Sequence, residues 1–172
     1  MKMKQALLIT GLLITSLFSS AQEVLEYKSI SINGITYQSS AADLISAFGE
    51  PLERYDPEYE CGAYSKDQEG VETTELVKYP GFEVLLVNDK VSFESISFSL
   101  MDENFDMNSD QIILNAQSTI QDLQKVFPIA YKQWINSSGK VFRLLPCDGC
   151  DCEIQITFNK EIISSIEFWC PC

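Results

Sequence analysis

A short motif occurs twice in this chain and constrains its fold more than any other feature. Residues 38–48 read QSSAADLISAF and residues 117–127 read QSTIQDLQKVF, so Gln, Ser, Asp, Leu and Phe recur at matching positions. Strand-like segments follow each copy, and the copies end alike, as Ser-Ile-Ser-Phe at 95–98 and Ser-Ile-Glu-Phe at 165–168. An internal repeat of this size indicates one supersecondary unit used twice.

We therefore predict an α+β fold built from two tandem repeats, one covering about residues 30–101 and the other about 111–172. Each repeat is predicted to contain a helix followed by an antiparallel meander, and the repeats share one curved sheet with the helices on one face. Residues 101–110, which are rich in Asp and Asn, are predicted to be the linker between them.

Capping signals place one helix in each repeat. Ser39 or Ser40 is the predicted cap of the first helix; Asp43, three residues after Ser40, has the spacing of a capping box, and Gly49 supplies a helix stop. In the second repeat Ser118 is the predicted cap, with Gln121 as its reciprocal partner. A proline directly after the second helix is predicted to end it, so the residues beyond are expected to form strands. Short strand-like lead-ins are predicted before the helices, at 31–33 and 35–37 in the first repeat and at 112–114 in the second. The strands predicted after the helices are 61–65, 72–79, 82–87, 91–100, 129–135, 141–145, 152–158 and 162–169.

The first 21 residues are typical of a secretory signal peptide. Lys2 and Lys4 precede an apolar run over 6–18, and 19–21 offer the small residues that a signal peptidase needs. The run is too short to span a bilayer comfortably, although an uncleaved anchor is the alternative. We expect a secreted or periplasmic protein whose residues 22–172 form a single domain, without stable membrane insertion.

Charge and composition narrow the function classes. The chain has 25 acidic and 12 basic residues, a formal charge of −13, and loss of Lys2 and Lys4 with the leader makes it −15. Such a chain repels nucleic acid and anionic lipid. It contains no histidine, the commonest general base. We predict a protein that is not an enzyme, needs no cofactor and does not bind nucleic acid.

The pattern in the first repeat resembles a known group. The helix followed by Gly49-Glu50-Pro51, an aromatic in the next strand at Tyr64, and a final strand with Ser-Ile-Ser-Phe at 95–98 resemble the repeat unit of the β-lactamase-inhibitor-protein-like group. That group includes secreted β-lactamase inhibitory proteins and small lipoproteins of the barrel-assembly machinery. The resemblance implies a continuous curved sheet, with two helices on its convex side and a concave face open to a protein partner. It carries over no functional residue, and Phe127-Pro128 stands in the second copy where Gly-x-Pro is expected.

The cysteines are the cluster of residues that most clearly indicates a particular chemistry. An even number of cysteines in an exported chain predicts disulfides, and an antiparallel final hairpin should bring Cys152 near Cys170. Thiolate ligation of zinc or copper by the five C-terminal cysteines is an alternative, and disulfide shuttling is another. The predicted disulfide cysteines are Cys61, Cys147, Cys150, Cys152, Cys170 and Cys172, and the alternative metal ligands are the last five of these.

Aromatic side chains among acidic residues are the predicted contacts with a partner. Tyrosine and tryptophan carry much of the energy of protein interfaces, whereas ordinary sheet packing is the competing interpretation. The predicted partner-binding residues are Tyr55, Tyr59, Tyr64, Tyr79 and Trp134. The sequence thus predicts an exported non-catalytic protein-binding module, which inhibits or neutralises a secreted or periplasmic protein. The alternative is a metal-binding protein that uses the C-terminal cysteines.

Overall fold

A computed structural model describes residues 22–57, 70, 73–101 and 105–171. These residues form an α+β fold with antiparallel sheets. The helices are α1 (Ala41–Phe48), α2 (Ile120–Val126) and α3 (Pro128–Asn136). The strands are β1 (Ser31–Ile32), β2 (Ile35–Thr36), β3 (Glu53–Tyr55), β4 (Thr74–Tyr79), β5 (Phe82–Val87), β6 (Lys90–Ser97), β7 (Met107–Asn108), β8 (Ile113–Leu114), β9 (Val141–Leu144), β10 (Glu153–Asn159) and β11 (Ile162–Trp169).

The strands form two sheets that each join the two halves of the chain. A seven-stranded sheet has the order β3-β4-β5-β6-β11-β10-β9, so β6 and β11 meet at its centre. A small sheet has the order β2-β1-β7-β8. In both sheets the strands from the first half lie on one side and those from the second half on the other. The predicted strand at 61–65 lies outside the described residues.

The central pair of strands brings the two copies of the Ser-Ile motif together. Ile96 pairs with Ile166, and these two isoleucines lie in a row of buried cross-strand partners that crosses six strands. Because successive side chains on a strand point to opposite faces, the adjacent row is polar and lies on the other face. The buried row is Tyr79, Phe82, Ile96, Ile166, Ile156 and Phe142. The polar row is Lys78, Glu83, Ser95, Glu167, Gln155 and Arg143.

A bulge interrupts the alternation at a comparable place in each half. The register shifts between Glu83 and Val84 opposite β6, and between Thr157 and Phe158 opposite β11. The first bulge explains why Phe93 is out of phase with the later residues of its strand and is nevertheless buried.

The N-caps of α1 and α2 are capping boxes made by the same chemistry. The carboxylate of Asp43 accepts from the backbone N–H and the hydroxyl of Ser40, at 2.7 and 2.8 Å. In the second half the cap is Thr119 with Asp122, with corresponding distances of 3.0 and 2.8 Å. The predicted Ser118 and Gln121 pair is therefore wrong by one residue.

Ser118 has a different role, which Ser39 shares in the first half. The carbonyl of Ser39 accepts from the N–H of Val91 at 3.0 Å, and that of Ser118 accepts from the N–H of Ile163 at 2.9 Å. Each serine hydroxyl also accepts a backbone N–H from three residues earlier. The serine before each cap thus ties the helix entry to a central strand.

Two strand predictions are wrong, one throughout and one at its C-terminal end. Residues 129–135 form most of α3 instead of a strand, because Pro128 occupies the first helical position, where its fixed φ and missing N–H are tolerated. The strand predicted over 91–100 stops at Ser97 and continues as a 3-10 turn, which leaves Leu100 68% exposed. The predicted linker contains β7, which pairs with β1.

The N-terminal segment is attached to the second half of the chain. Val24 forms a parallel bridge with Leu145, and the N–H of Tyr27 donates to the carbonyl of Pro146 at 2.9 Å. The carboxylate of Glu23 accepts from the N–H groups of the second and third residues of α3, Ile129 and Ala130, at 3.0 and 2.9 Å. Glu23 therefore caps α3, whose own preceding residue offers no side-chain cap.

Candidate binding cleft

The predicted partner-binding residues do not form one surface. Tyr55 lies on the outermost strand β3 and is 41% exposed. Tyr79 is in the core and Trp134 is on α3. Tyr59 and Tyr64 lie outside the described residues. Of the three described residues, Tyr55 alone is an exposed sheet residue.

Tyr79 is a core residue, 2% exposed. Its ring stacks on Phe82 with centroids 4.9 Å apart and contacts Phe48 of α1 at 5.7 Å. The hydroxyl donates to the carbonyl of Gly49 at 3.3 Å, and burial raises the pKa of Tyr79. This tyrosine therefore fixes α1 to the sheet.

Trp134 joins α3 to the sheet. Its ring stacks on Tyr131 at 5.8 Å and meets the edge of Phe158 at 5.9 Å. Its indole Nε1 is buried and has no hydrogen-bond partner; among the described residues it is the one buried side-chain nitrogen or oxygen in this condition. Trp134 thus serves packing in the same way as Tyr79 does at the other end of the sheet.

The C-terminal cysteines form disulfides. Cys147 is bonded to Cys150 with Cα atoms 5.4 Å apart, and Cys152 is bonded to Cys170 with Cα atoms 4.2 Å apart. The second bond confirms the pairing expected from the final hairpin. Cys61 and Cys172 lie outside the described residues. In this oxidised form the four bonded sulfurs are not thiolates, and within 22–57, 70, 73–101 and 105–171 no group of three or more potential ligands is placed to hold a metal ion.

Both disulfides line a cleft at the place where β6 and β11 stop pairing. Pairing of β6 with β11 covers only Ser95–Ser97 opposite Ser165–Glu167, although both strands continue further. Before Ser95, no strand of the described residues pairs with β6 on the side that faces β11. The cleft that results has a volume of about 340 Å³, and we call it the disulfide cleft. Its described lining residues are Glu26, Tyr27, Lys28, Ser92, Phe93, Glu94, Pro146, Cys147, Cys150, Cys152, Glu153, Phe168 and Cys170.

Tyr27 replaces the missing strand at the cleft wall. Its hydroxyl accepts from the backbone N–H of Phe93 at 2.6 Å and donates to the hydroxyl of Ser92 at 3.2 Å. The neighbouring N–H group on this edge of β6, that of Val91, is bonded to the carbonyl of Ser39. The backbone donors of β6 on this side are therefore already satisfied.

The inner wall of the cleft is aromatic. The ring of Tyr27 meets Phe168 edge-on at 5.4 Å and Phe93 at 6.2 Å, and Phe93 lies 6.1 Å from Phe168. Rings that pack on one another, in a cleft also lined by disulfide-bonded cysteines, form a pre-organised apolar surface, which is the usual character of a ligand site.

The rim of the cleft is acidic. Glu26, Glu94 and Glu153 are among its lining residues, and the exposed Asp148 and Asp151 flank the lining cysteines. Glu153 accepts from the guanidinium of Arg143 at 3.0 Å and from the amide of Gln155 at 3.0 Å, which fixes its carboxylate. Lys28 is the basic residue of the lining. Negative potential at the mouth of an apolar cleft favours a ligand that combines positive charge with apolar surface.

Sequence reasoning missed Tyr27, Phe93 and Phe168 as site residues. The sequence carries one indication for Phe93, because this residue is out of phase with the apolar–polar alternation of the later residues of its own strand. Tyr27 carried none, since only the three-dimensional fold brings it to residues 92 and 93.

No helix in the described part of the chain is long and apolar enough to cross a membrane. Comparison with protein-family models, curated proteins and solved structures finds no match to this chain.

Proposed function

We propose that this chain is an exported, non-catalytic protein-binding module that holds part of its partner in the disulfide cleft. The observation that carries this proposal is the combination of a rigid aromatic wall, two disulfides and an acidic rim at one opening of the central sheet. Disulfides favour an oxidising compartment, which fits the leader-like residues 1–21.

The architecture that we infer is a tandem repeat. Matching capping boxes, matching serine contacts and the pairing of Ile96 with Ile166 support it. With the resemblance to the β-lactamase-inhibitor-protein-like group, a repeat of this kind favours a scaffold that presents a surface, so inhibition of another exported protein is the role we propose. Fold analogy contributes only the class of function.

Affinity capture from the native exported fraction tests the proposal. Tagged wild-type protein is expected to recover the same partner repeatedly at low salt. Ser92→Phe, which fills the cleft, should lose that partner, while Glu161→Phe at the far turn of the β10–β11 hairpin should retain it. Circular dichroism of both variants checks that they are folded. Recovery of no partner by the wild-type protein in repeated experiments would contradict the proposal.

A further inference from the structure

We propose that the disulfide cleft takes a cationic peptide segment of the partner in which one aromatic side chain is flanked by Lys or Arg. This inference rests on the proposed function and specifies the chemistry of the partner at the same site. It follows from the size of the cleft, the groups on its wall and the charges at its mouth.

The cleft is large enough to hold one large side chain. A volume of about 340 Å³ is at the lower end of the range of about 300–1,000 Å³ that ligand sites occupy. The wall offers the half-buried rings of Tyr27 and Phe168, which pack on the buried ring of Phe93, beside disulfide-bonded cysteines. Aromatic rings pack favourably edge-on against other rings and against sulfur. An aromatic anchor therefore matches this wall better than an aliphatic or polar one.

Backbone geometry determines how such an anchor enters. The N–H groups of Val91 and Phe93 on the open edge of β6 are bonded to the Ser39 carbonyl and to the Tyr27 hydroxyl. A partner strand would have to break both hydrogen bonds to add to β6. Insertion of a side chain breaks neither, so the segment binds through its side chains and not by strand addition.

Charge decides what flanks the anchor. Among the described residues, four carboxylates lie on the lining or beside its cysteines, and the basic residue of the lining is Lys28. The carboxylate of Glu153 is paired with Arg143 on the polar face of the sheet and does not count towards the charge of the rim. Flanking Lys or Arg side chains gain attraction at this rim, whereas flanking acids meet repulsion. These four carboxylates are Glu26, Glu94, Asp148 and Asp151.

Three matched peptides test the inference with the oxidised, full mature chain. Isothermal titration calorimetry would compare acetyl-Gly-Lys-Trp-Lys-Gly-amide with the same peptide carrying Glu for Lys, and with the same peptide carrying Ser for Trp. We expect the Lys-Trp-Lys peptide to bind and each of the others to bind at least about tenfold more weakly. Equal binding of the Ser peptide would overturn the aromatic requirement, and equal binding of the Glu peptide would overturn the charge requirement.

A pair of charge variants locates the site. Glu26→Lys reverses an exposed charge at the rim, and Glu161→Lys makes the same change at the far turn of the hairpin. Glu26→Lys should weaken binding of the Lys-Trp-Lys peptide about threefold or more, and Glu161→Lys should change it less than twofold. Equal weakening by both variants would mean attraction to net charge alone and would overturn the assignment to the cleft.

The two proposals fail in different ways. If wild-type protein captures a partner and Ser92→Phe captures it equally well, protein binding stands but the cleft inference is rejected. If the Lys-Trp-Lys peptide binds with the predicted selectivity while repeated capture recovers no partner, the peptide site stands and the proposed function is rejected.

Discussion

The hydroxyl of Tyr27 provides a direct test of how the cleft is built. Tyr27→Phe removes one oxygen atom, and with it the acceptor 2.6 Å from the N–H of Phe93, a residue that is 2% exposed. A buried donor left without a partner costs about 1–3 kcal/mol. The second bond of this hydroxyl is to part-exposed Ser92, where water can replace it, so its loss adds little.

We expect Tyr27→Phe to lower the free energy of unfolding by about 1.5 kcal/mol, or the melting temperature by about 3–6 °C for a domain of this size. Urea unfolding without reductant measures it, and the m-value should not change. The matched control is Tyr37→Phe, which removes a hydroxyl whose bond to Gln38 is exposed and should cost less than about 0.5 kcal/mol. Equal stabilities of the two variants would refute the argument that Tyr27 replaces a strand partner.

Three further predictions concern other parts of the fold. Glu23→Ala should destabilise the protein by about 1 kcal/mol in thermal unfolding, because two N–H groups of α3 lose their acceptor. Glu23→Gln keeps an acceptor oxygen and should cost less. An unchanged stability of Glu23→Ala would contradict the capping role of Glu23. The pKa of Asp122 is lowered to about 2, chiefly by the Lys125 ammonium and then by the Thr119 N–H and hydroxyl. The ionised carboxylate therefore stabilises the folded protein above the ordinary pKa of 3.8, and this stabilisation is lost as pH falls from about 4 towards 2. The stability difference between the wild type and Asp122→Asn should shrink over that interval in acid titrations, and a constant difference would exclude the carboxylate as its source. Ile96→Ala and Ile166→Ala should each cost about 3–4 kcal/mol in urea, within about 1 kcal/mol of each other, whereas clearly unequal losses would argue against equivalent central strands.

Local chemistry made much of the fold predictable. The α+β class, most strand positions and the start of α1 follow from alternation, turn residues and the capping box, all of which act within a few residues. The bond between Cys152 and Cys170 was predictable for a similar reason, since a hairpin places those residues opposite each other.

The errors arose where two local signals compete. Pro128 ends one helix and equally well begins another, so the chain after it could not be assigned from the proline alone. The cap of α2 was displaced by one residue because Ser118 and Thr119 are both good caps. Asp122 decides between them, since it stands three residues after Thr119.

The disulfide cleft was not predictable because it depends on contacts between distant segments. Tyr27 reaches Phe93 across 66 residues, and the cleft exists only because β6 and β11 stop pairing after three residues each. Tyr79 and Trp134 had the composition of surface aromatics, but the ring of Tyr79 is covered by α1 and the ring of Trp134 packs from α3 against Phe158 of the sheet.

Site-specific photo-crosslinking tests the central claim most directly. A benzophenone amino acid placed at Lys28 on the rim of the cleft, with Glu161 at the far hairpin turn as the matched position, would be irradiated in the native exported fraction. We expect one discrete protein adduct from position 28, reduced by excess Lys-Trp-Lys peptide, and no such adduct from position 161. Adducts that are absent from position 28, or the same from both positions, would contradict a protein-binding role for the disulfide cleft.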